Sequence, residues 1–588
     1  MSTSAPRRTI DTIDRRVGLM FGVFLLLLLV GVLRAAYLGT IRSSALSNAA
    51  ASQQVHTAAV VAPRGEITDR NGVVYAISEP TDEIDVDPYL INKTYPDPQA
   101  VANKLAPLLG LGAERTLRLI TQPNTGFVRL ATTVAAATAS RIMKLQLTPQ
   151  SAPGINGITE SPTERRAYPR GTELAQVLGW VGPSGGVDGL EYEFNKLLAG
   201  VSGERRTVID AQGKTIAVDN TKTMVPGTSL SLTISAPLQS YVEQVLAGVG
   251  AEYQPAGATA IVTDPQTGQI LALANWPTVN LDKSIPSTAL RTIGGQLPVS
   301  EDQAVDLSYE PGSTFKAVTV AGALEDRVVT PNTSIYVPSS LNPYGRHITD
   351  AEPHGDEYLT VSKILKVSSN IGADEIASRM GPTSFAHWMN EFGFGRATGV
   401  ALPGEQTGVV PRLNTLAWSG ISMWNLPFGQ GEEVTPMQMI QAYDAIANGG
   451  ILRTPQIISS IGGRSVSEPR GKRIISATVA AELRDMLRGV LADGGTASGA
   501  AIHGYDMAGK TGTAQVVVNG KYSNTKFMSS FIGMVPASNP KLVVAVVVDQ
   551  PHHEYYGGSV AAPAFQKIVG WAVPHFGINP CPANVCSG

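Results

Sequence analysis

Cysteine is nearly absent from this chain. Its 588 residues hold two, Cys581 and Cys586, both in the C-terminal tail. A disulfide scaffold and a four-cysteine zinc site are thereby excluded. Charge is scarce as well: Asp, Glu, Lys and Arg make up 16%, against roughly 25% in an average globular chain. The 45 basic and 48 acidic residues almost cancel, leaving −3. No global basic field exists to hold a phosphate backbone, so nucleic acid is not the expected partner. Disorder throughout is excluded, because 43% of the residues are hydrophobic and disorder needs few apolar residues and high net charge. A mean hydropathy of +0.04 argues against many membrane spans. The length implies several domains, at roughly 100–200 residues each, or fewer large ones.

One segment breaks this average. Val17 to Leu33 is an uninterrupted apolar run, VGLMFGVFLLLLLVGVL. It reaches the lower limit for crossing a hydrocarbon core about 30 Å thick. Residues 34–38 can extend it, with Arg34 snorkelling and Tyr37 at the interface. Arg7, Arg8, Arg15 and Arg16 precede it. The positive-inside rule therefore puts the N-terminus in the cytoplasm and the bulk of the chain outside. A cleaved signal peptide is the alternative. However, Ala49-Ala50-Ala51 lies well beyond the run, and the run exceeds the usual 7–15 residues of a signal core. The expected anchor spans 17–38, after a cytoplasmic tail of 1–16.

Two folded regions follow. Residues 39–225 are mixed, with short apolar runs and Pro/Gly turns. Within them Asn71-Gly72 sits between β-prone runs, the strongest short hairpin signal. Pro226-Gly227 marks the next boundary, and a second domain is expected over 226–577, with a tail at 578–588. Leu230 to Ile234 alternates as a strand. Ser235 can cap a helix whose apolar face is Leu238, Tyr241, Val242, Val245, Leu246 and Val249. Residues 258–264 and 269–274 flank a Pro-Gln-Thr-Gly turn as a hairpin. Helical patterns fill much of 301–500, and strands return at 515–518, 531–535 and 542–548 before a helix over about 561–573. Strands at both ends with helices between predict an α+β domain, one mostly antiparallel sheet packed between helices.

The chemistry lies in three ordered motifs: Ser313-Thr314-Phe315-Lys316, Ser368-Ser369-Asn370 and Lys510-Thr511-Gly512. S-x-x-K, S-D-N and K-T-G together mark serine enzymes that act on penicillins. A serine hydroxyl is a weak nucleophile near neutrality and needs a base. At i and i+3 of a helix, Lys316 can reach Ser313. Lys316 serves as a base only if burial or nearby positive charge lowers its pKa, and Lys510 can supply that charge. Single motifs are cheap: Ser523 to Lys526, Ser538 to Lys541 and Ser340-Leu341-Asn342 also match. These copies are expected in turns and loops, whereas the trio falls at helix and strand ends. Lys510-Thr511-Gly512, followed by Thr513, is expected just before an edge strand, where glycine lets a substrate backbone approach.

With these motifs the chain resembles the class B penicillin-binding proteins, membrane-anchored peptidoglycan D,D-transpeptidases. Arg64 to Gly72 is similar to the family's first pedestal motif. Arg166-Ala167-Tyr168-Pro169, Gly189-Leu190-Glu191, Leu198-Ala199-Gly200, Gly203, Asp210 and Gly213 continue it. So do Asp264 to Ala272, Glu310-Pro311-Gly312-Ser313, Gly429-Gln430-Gly431, Thr435-Pro436 and Tyr556 to Pro563 in the second domain. Asn370 resembles the septal branch, and Ser235 stands where relatives often carry Asp, a cap exchange. The resemblance implies an elongated pedestal, then a transpeptidase domain. It implies Ser313 as nucleophile, Lys316 as base, Ser368 as proton relay and Asn370 as holder of Lys316 and the substrate amide. Lys510, Thr511, Gly512 and Thr513 would bind the terminal carboxylate of a D-Ala-D-Ala stem peptide, with the Ser313 and Thr513 N–H groups as oxyanion hole. β-Lactams would acylate Ser313. By the same analogy the partners are a polytopic glycosyltransferase and other division proteins, at the septal membrane. No cofactor is implied.

Other readings stay open: an elongation-type transpeptidase, a serine D,D-carboxypeptidase or β-lactamase, or a non-catalytic β-lactam sensor or scaffold. His552-His553-Glu554 has the wrong spacing for a zinc helix, so no metal is expected. Arg64, Asp69, Arg70, Arg166 and Glu191 read as a structural ion-pair network. Cys581 and Cys586 can pair across a short loop.

Overall fold

The computed structural model describes residues 10–44, 55–148, 151–209, 215–283, 285, 290 and 299–581. Asp210, Gly213 and Cys586 lie outside the described residues. The chain divides into two compact units, one of residues 1–62 with 201–225, the other of 63–200 with 226–588.

The first unit contains the apolar run. It forms a single helix, Ile10–Thr40, whose side chains from Val17 to Leu33 are exposed. At 1.5 Å per residue, the 26 residues from Arg15 to Thr40 extend about 39 Å, enough to cross a bilayer core. Three antiparallel strands follow, Val55–Val60 beside Gly203–Ile209 beside Thr215–Lys222.

In the second unit, Asn71-Gly72 turns Ile67–Thr68 back onto Val74–Val86 as expected. The long Val74–Val86 strand also pairs with Val128–Ala135 and Ile158–Ala167. Short helices cover these strands over a small core that includes Ile84, Ile91, Leu105 and Ile142. Ile67–Thr68 pairs in parallel with Leu230–Leu232, which continues into Ile458–Ile461. Residues on both sides of position 226 thus share one sheet and one large core.

Three of the five charged residues expected in a network form one. The buried Glu191 carboxylate accepts from Arg64 Nε at 2.5 Å and Arg166 Nε at 2.7 Å. Asp69 and Arg70 do other work. Asp69 accepts from the Asn71 and Val73 N–H groups, and its other oxygen accepts from Ala236 N at 3.1 Å. Arg70 reaches Gln269 at 3.4 Å. Ser235 does occupy the N-cap of helix Ala236–Tyr253, but its side chain makes no capping bond. The Asp69 carboxylate, 167 residues away in sequence, supplies that cap instead.

The sheet that carries the site has five antiparallel strands. Their order is Gln269–Trp276, Gly257–Asp264, Leu542–Asp549, Lys521–Val535, Ala508–Val518. Alternation sends successive side chains to opposite faces. Val544, Val546 and Val548 face the helices Ala236–Tyr253 and Gly557–His575. Val543, Ala545 and Val547 face a core built with helices Lys316–Glu325, Asn370–Glu391, Pro436–Ala447 and Ala477–Arg488. The expected antiparallel sheet between helix layers is what forms. Its Ala508–Val518 edge strand is longer than expected and contains Lys510-Thr511-Gly512 rather than following it. Ser523 to Lys526 lies inside the Lys521–Val535 strand, not in a turn.

Candidate active site

The nucleophile turn is fixed by glycine. Gly312 has φ +55°, a conformation that costs other residues energy, and its N–H donates to Gly429 O at 2.8 Å. A Cβ on Gly429 would lie 2.1 Å from Gly312 O, so the two segments touch backbone to backbone. Gly512 does the same on the other side, where a Cβ would stand 2.9 Å from Pro311 O. Thr314 O accepts from the buried Tyr443 hydroxyl at 2.8 Å. Ser313 therefore sits on a turn braced from the loop before Thr435, from a buried helix and from the edge strand. The turn, Gly312–Phe315, is 3₁₀, and the α-helix begins at Lys316.

Lys316 is fully buried, and its ammonium donates to Ser368 O at 2.5 Å, Asn370 Oδ1 at 2.7 Å and Ser368 Oγ at 3.3 Å. Among the described residues it has no hydrogen bond to Ser313, so the i, i+3 contact expected from spacing is not present as such. Burial pulls the Lys316 pKa down to about 7, against the opposing charges of Asp350 and Asp374. Of the two causes expected, burial and a nearby positive charge, burial is the one that acts on Lys316. The lysine–lysine effect is felt by Lys510, whose pKa is driven well below the ordinary value by burial and then by the Lys316 charge.

Ser368 joins the two. It ends helix Val361–Val367 in a left-handed conformation, φ +63°, at a cost of about 1 kcal/mol for a non-glycine residue. That turn lets its hydroxyl accept from Lys510 Nζ at 2.9 Å while its carbonyl accepts from Lys316. Asn370 opens the next helix, whose N-terminus is capped by the Ser369 hydroxyl and by Asp350. The Asp350 carboxylate accepts from Asn370 N at 2.5 Å and Ile371 N at 3.0 Å. Thr511 shares a 2.7 Å hydrogen bond with Thr496, and Thr513 Oγ1 accepts from Gly557 N at 2.9 Å.

The three motifs thus converge, and a polar cleft of about 210 Å³ opens on them, lined in part by Ser313, Asn370 and Thr513. Lys316, Ser368 and Lys510 form a hydrogen-bonded chain beneath it. Asp350, Asp374 and Thr496 were missed from sequence. Asp374 had a signal, one turn beyond Asn370 on the same helix face; Asp350 and Thr496 lie in loops with none. No group of three His, Cys, Asp or Glu residues suited to a metal occurs among the described residues.

Comparison with known proteins gives the same architecture a lineage. Residues 258–570 match the family described as penicillin binding protein transpeptidase domain, and 59–232 the penicillin-binding protein dimerisation domain. The chain is 32% identical to the peptidoglycan D,D-transpeptidase FtsI of Escherichia coli, over 98% of this chain and 95% of that one. It is 30% identical to a probable peptidoglycan D,D-transpeptidase, PenA, of Neisseria gonorrhoeae, over 93% and 90%. Among solved structures, penicillin binding protein 3 of Mycobacterium tuberculosis complexed with aztreonam matches with TM-score 0.67 and 28% identity, over 89% of this chain and 98% of that one.

Proposed function

The chain belongs to the class B penicillin-binding proteins and is a serine-type peptidoglycan D,D-transpeptidase; on that premise we propose that Ser313 carries the reaction and that the product is septal cell wall. The carrying observation is the Lys316–Ser368–Lys510 chain beneath the cleft that Ser313 lines. Neutral Lys316 takes the Ser313 proton as Oγ attacks the carbonyl of the penultimate D-Ala. Ser368 passes a proton to the departing D-Ala amine, and an acyl ester remains on Ser313. The amine of a neighbouring stem then attacks the ester. A new amide forms, and Ser313 regains its proton. Asn370 holds Lys316. Lys510, Thr511 and Thr513 receive the terminal carboxylate, Gly512 leaves room for the substrate backbone, and the Ser313 and Thr513 N–H groups face the oxyanion, at a few kcal/mol per donor.

The proposed organisation is a cytoplasmic tail over 1–16, a span over 17–38, a pedestal over 39–225, the transpeptidase over 226–577 and a tail over 578–588, with the bulk outside the membrane. One apolar N-terminal helix supports the anchor, and the arginines before it support the orientation. Asn370 in the second motif supports the septal branch, whose partners would be a polytopic glycosyltransferase and other division proteins.

Full-length protein in membranes, labelled with a fluorescent penicillin, tests the nucleophile: Ser313→Ala should abolish the covalent band. A surviving band would remove Ser313 from the role, and rapid penicillin turnover would indicate a β-lactamase. Depletion should give filaments; rounded cells would indicate elongation instead.

A further inference from the structure

One residue of the loop before the second motif acts on the site from behind. Asp350 caps the Asn370 helix with a single carboxylate oxygen, Oδ1, which accepts from Asn370 N and Ile371 N. Its other oxygen, Oδ2, meets His354 Nε2 at 3.0 Å. The second ring nitrogen, Nδ1, meets Gly355 O at 2.7 Å, with Glu357 Oε1 at 3.4 Å.

These partners set the charge of the ring. A backbone carbonyl can only accept, and so can a carboxylate that already takes two N–H groups. Neutral imidazole has one N–H to give, and imidazolium has two. Satisfying both contacts therefore requires a proton on each nitrogen. The Gly355 carbonyl, with Asp350 and Glu357 behind it, holds the His354 pKa above its ordinary value, against partial desolvation.

Asp350 thus stands between two cations. Its charge favours the protonated form of Lys316, and its free oxygen is engaged by His354. Few other charges bear on this chain of three. Asp374, on the Asn370 helix, adds to Asp350 at Lys316, and Glu375 acts on Asp374. Lys510, on the edge strand, feels the Lys316 charge. Asp356 and Glu357 flank His354. Arg346 and Glu352, from the same loop, act on Tyr522 and Tyr556 instead.

Taking Lys316 as the base of the proposed reaction, we propose that His354 is a positioning residue for acylation: its imidazolium binds Asp350 and limits the pull of that carboxylate on the Lys316 proton. Without the cation Asp350 acts on Lys316 at full charge, and the lysine stays protonated to higher pH. His354 works only through Asp350.

The test is the pH profile of benzylpenicillin acylation by the full-length protein. His354→Gln should move the acidic limb to higher pH by about half a unit, less than the 1–3 units of a charge in direct contact. That is a roughly threefold slower reaction at pH 6, with the deficit narrowing toward the plateau. His354→Lys keeps a cation and should restore most of the wild-type limb. Asp350→Asn should move the limb the other way, and adding His354→Gln to it should change nothing further, because the two act in series. An unmoved limb in His354→Gln, an equal loss at every pH, or additive effects in the double variant would overturn the proposal. Covalent labelling to completion reports a folded site in each variant, and His354→Asn replaces His354→Gln if the latter does not label. A wild-type profile without a limb would instead sink the reading of Lys316 as base, and the proposal with it.

Discussion

Acylation of Ser313 should switch on near neutrality. The perturbation is pH, and the group is Lys316, pulled from 10.5 to about 7 by burial. A general base works in its deprotonated form, and the pH dependence of the second-order acylation constant reports the free enzyme. With a pKa of about 7, about one-tenth of the chains hold neutral Lys316 at pH 6 and about nine-tenths at pH 8. The benzylpenicillin acylation constant, followed by stopped flow, should therefore rise roughly tenfold from pH 6 to its plateau. Asp350→Asn removes a carboxylate that favours the charged lysine, so the limb should move to lower pH. A flat profile between pH 5.5 and 8, or a limb near the ordinary lysine value, would refute burial as the activating device. Stability carries the same signature. Between pH 7 and 10.5 the unfolded chain binds the Lys316 proton and the folded chain does not. The penalty is therefore fully present below about pH 7, fades between there and 10.5, and is gone above the unfolded value. A shift from 10.5 to about 7 corresponds to about 5 kcal/mol at most. Lys316→Met should accordingly melt higher than wild type at pH 6 while losing acylation, and a lower melting temperature would count against the argument.

Two further outcomes follow from packing and charge. Gly429→Ala places a methyl 2.1 Å from Gly312 O at φ +85°. The nucleophile turn must shift, so penicillin acylation should fall at least tenfold, measured with the fluorescent label, while unfolding midpoints drop modestly. Glu191→Gln leaves Arg64 and Arg166 with buried charges against one neutral amide. A loss of about 3–5 kcal/mol is expected from chemical denaturation, and an unchanged midpoint would show that the network contributes nothing.

What could be read from sequence was local or ordered. The Asn71-Gly72 hairpin, the strands at 258–264 and 542–548 and the order of the three motifs rest on period, turn chemistry and spacing, which the chain states in place. The edge strand was read as starting only at Gln515, after the motif and its flanking glycines, Gly509 and Gly512. In the fold they are contact glycines, needed where Phe531 and Pro311 press against the strand. The cap of helix Ala236–Tyr253 was assigned to Ser235 because capping is usually local. Asp69 performs it across 167 residues, which no periodicity reveals. The choice between burial and a neighbouring cation at Lys316 stayed open in sequence for the same reason. Lys316 and Lys510 are near neighbours, yet what sets the acidity of Lys316 is its burial, a property of the assembled core.

The same burial bears on how the site prepares for substrate. Lys510 is buried, held by the Ser368 hydroxyl at 2.9 Å and by Thr511, and faces no carboxylate among these partners. Desolvation and the Lys316 charge both work against its protonation. On the proposed docking of the terminal carboxylate at Lys510, the added negative charge would offset the second influence, and binding and proton uptake would become one event. The proton then held on Lys510 sits one hydroxyl, Ser368, from Lys316. Substrate binding would thereby charge one lysine while the other, repelled across Ser368, is kept free to accept the Ser313 proton. Calorimetry of benzylpenicillin binding to Ser313→Ala, repeated in buffers of different ionisation enthalpy, reads this directly. Uptake of protons near pH 7 is the expected result. Proton release, or none at all, would mean that Lys510 is already charged in the free enzyme and that the carboxylate meets a preformed cation.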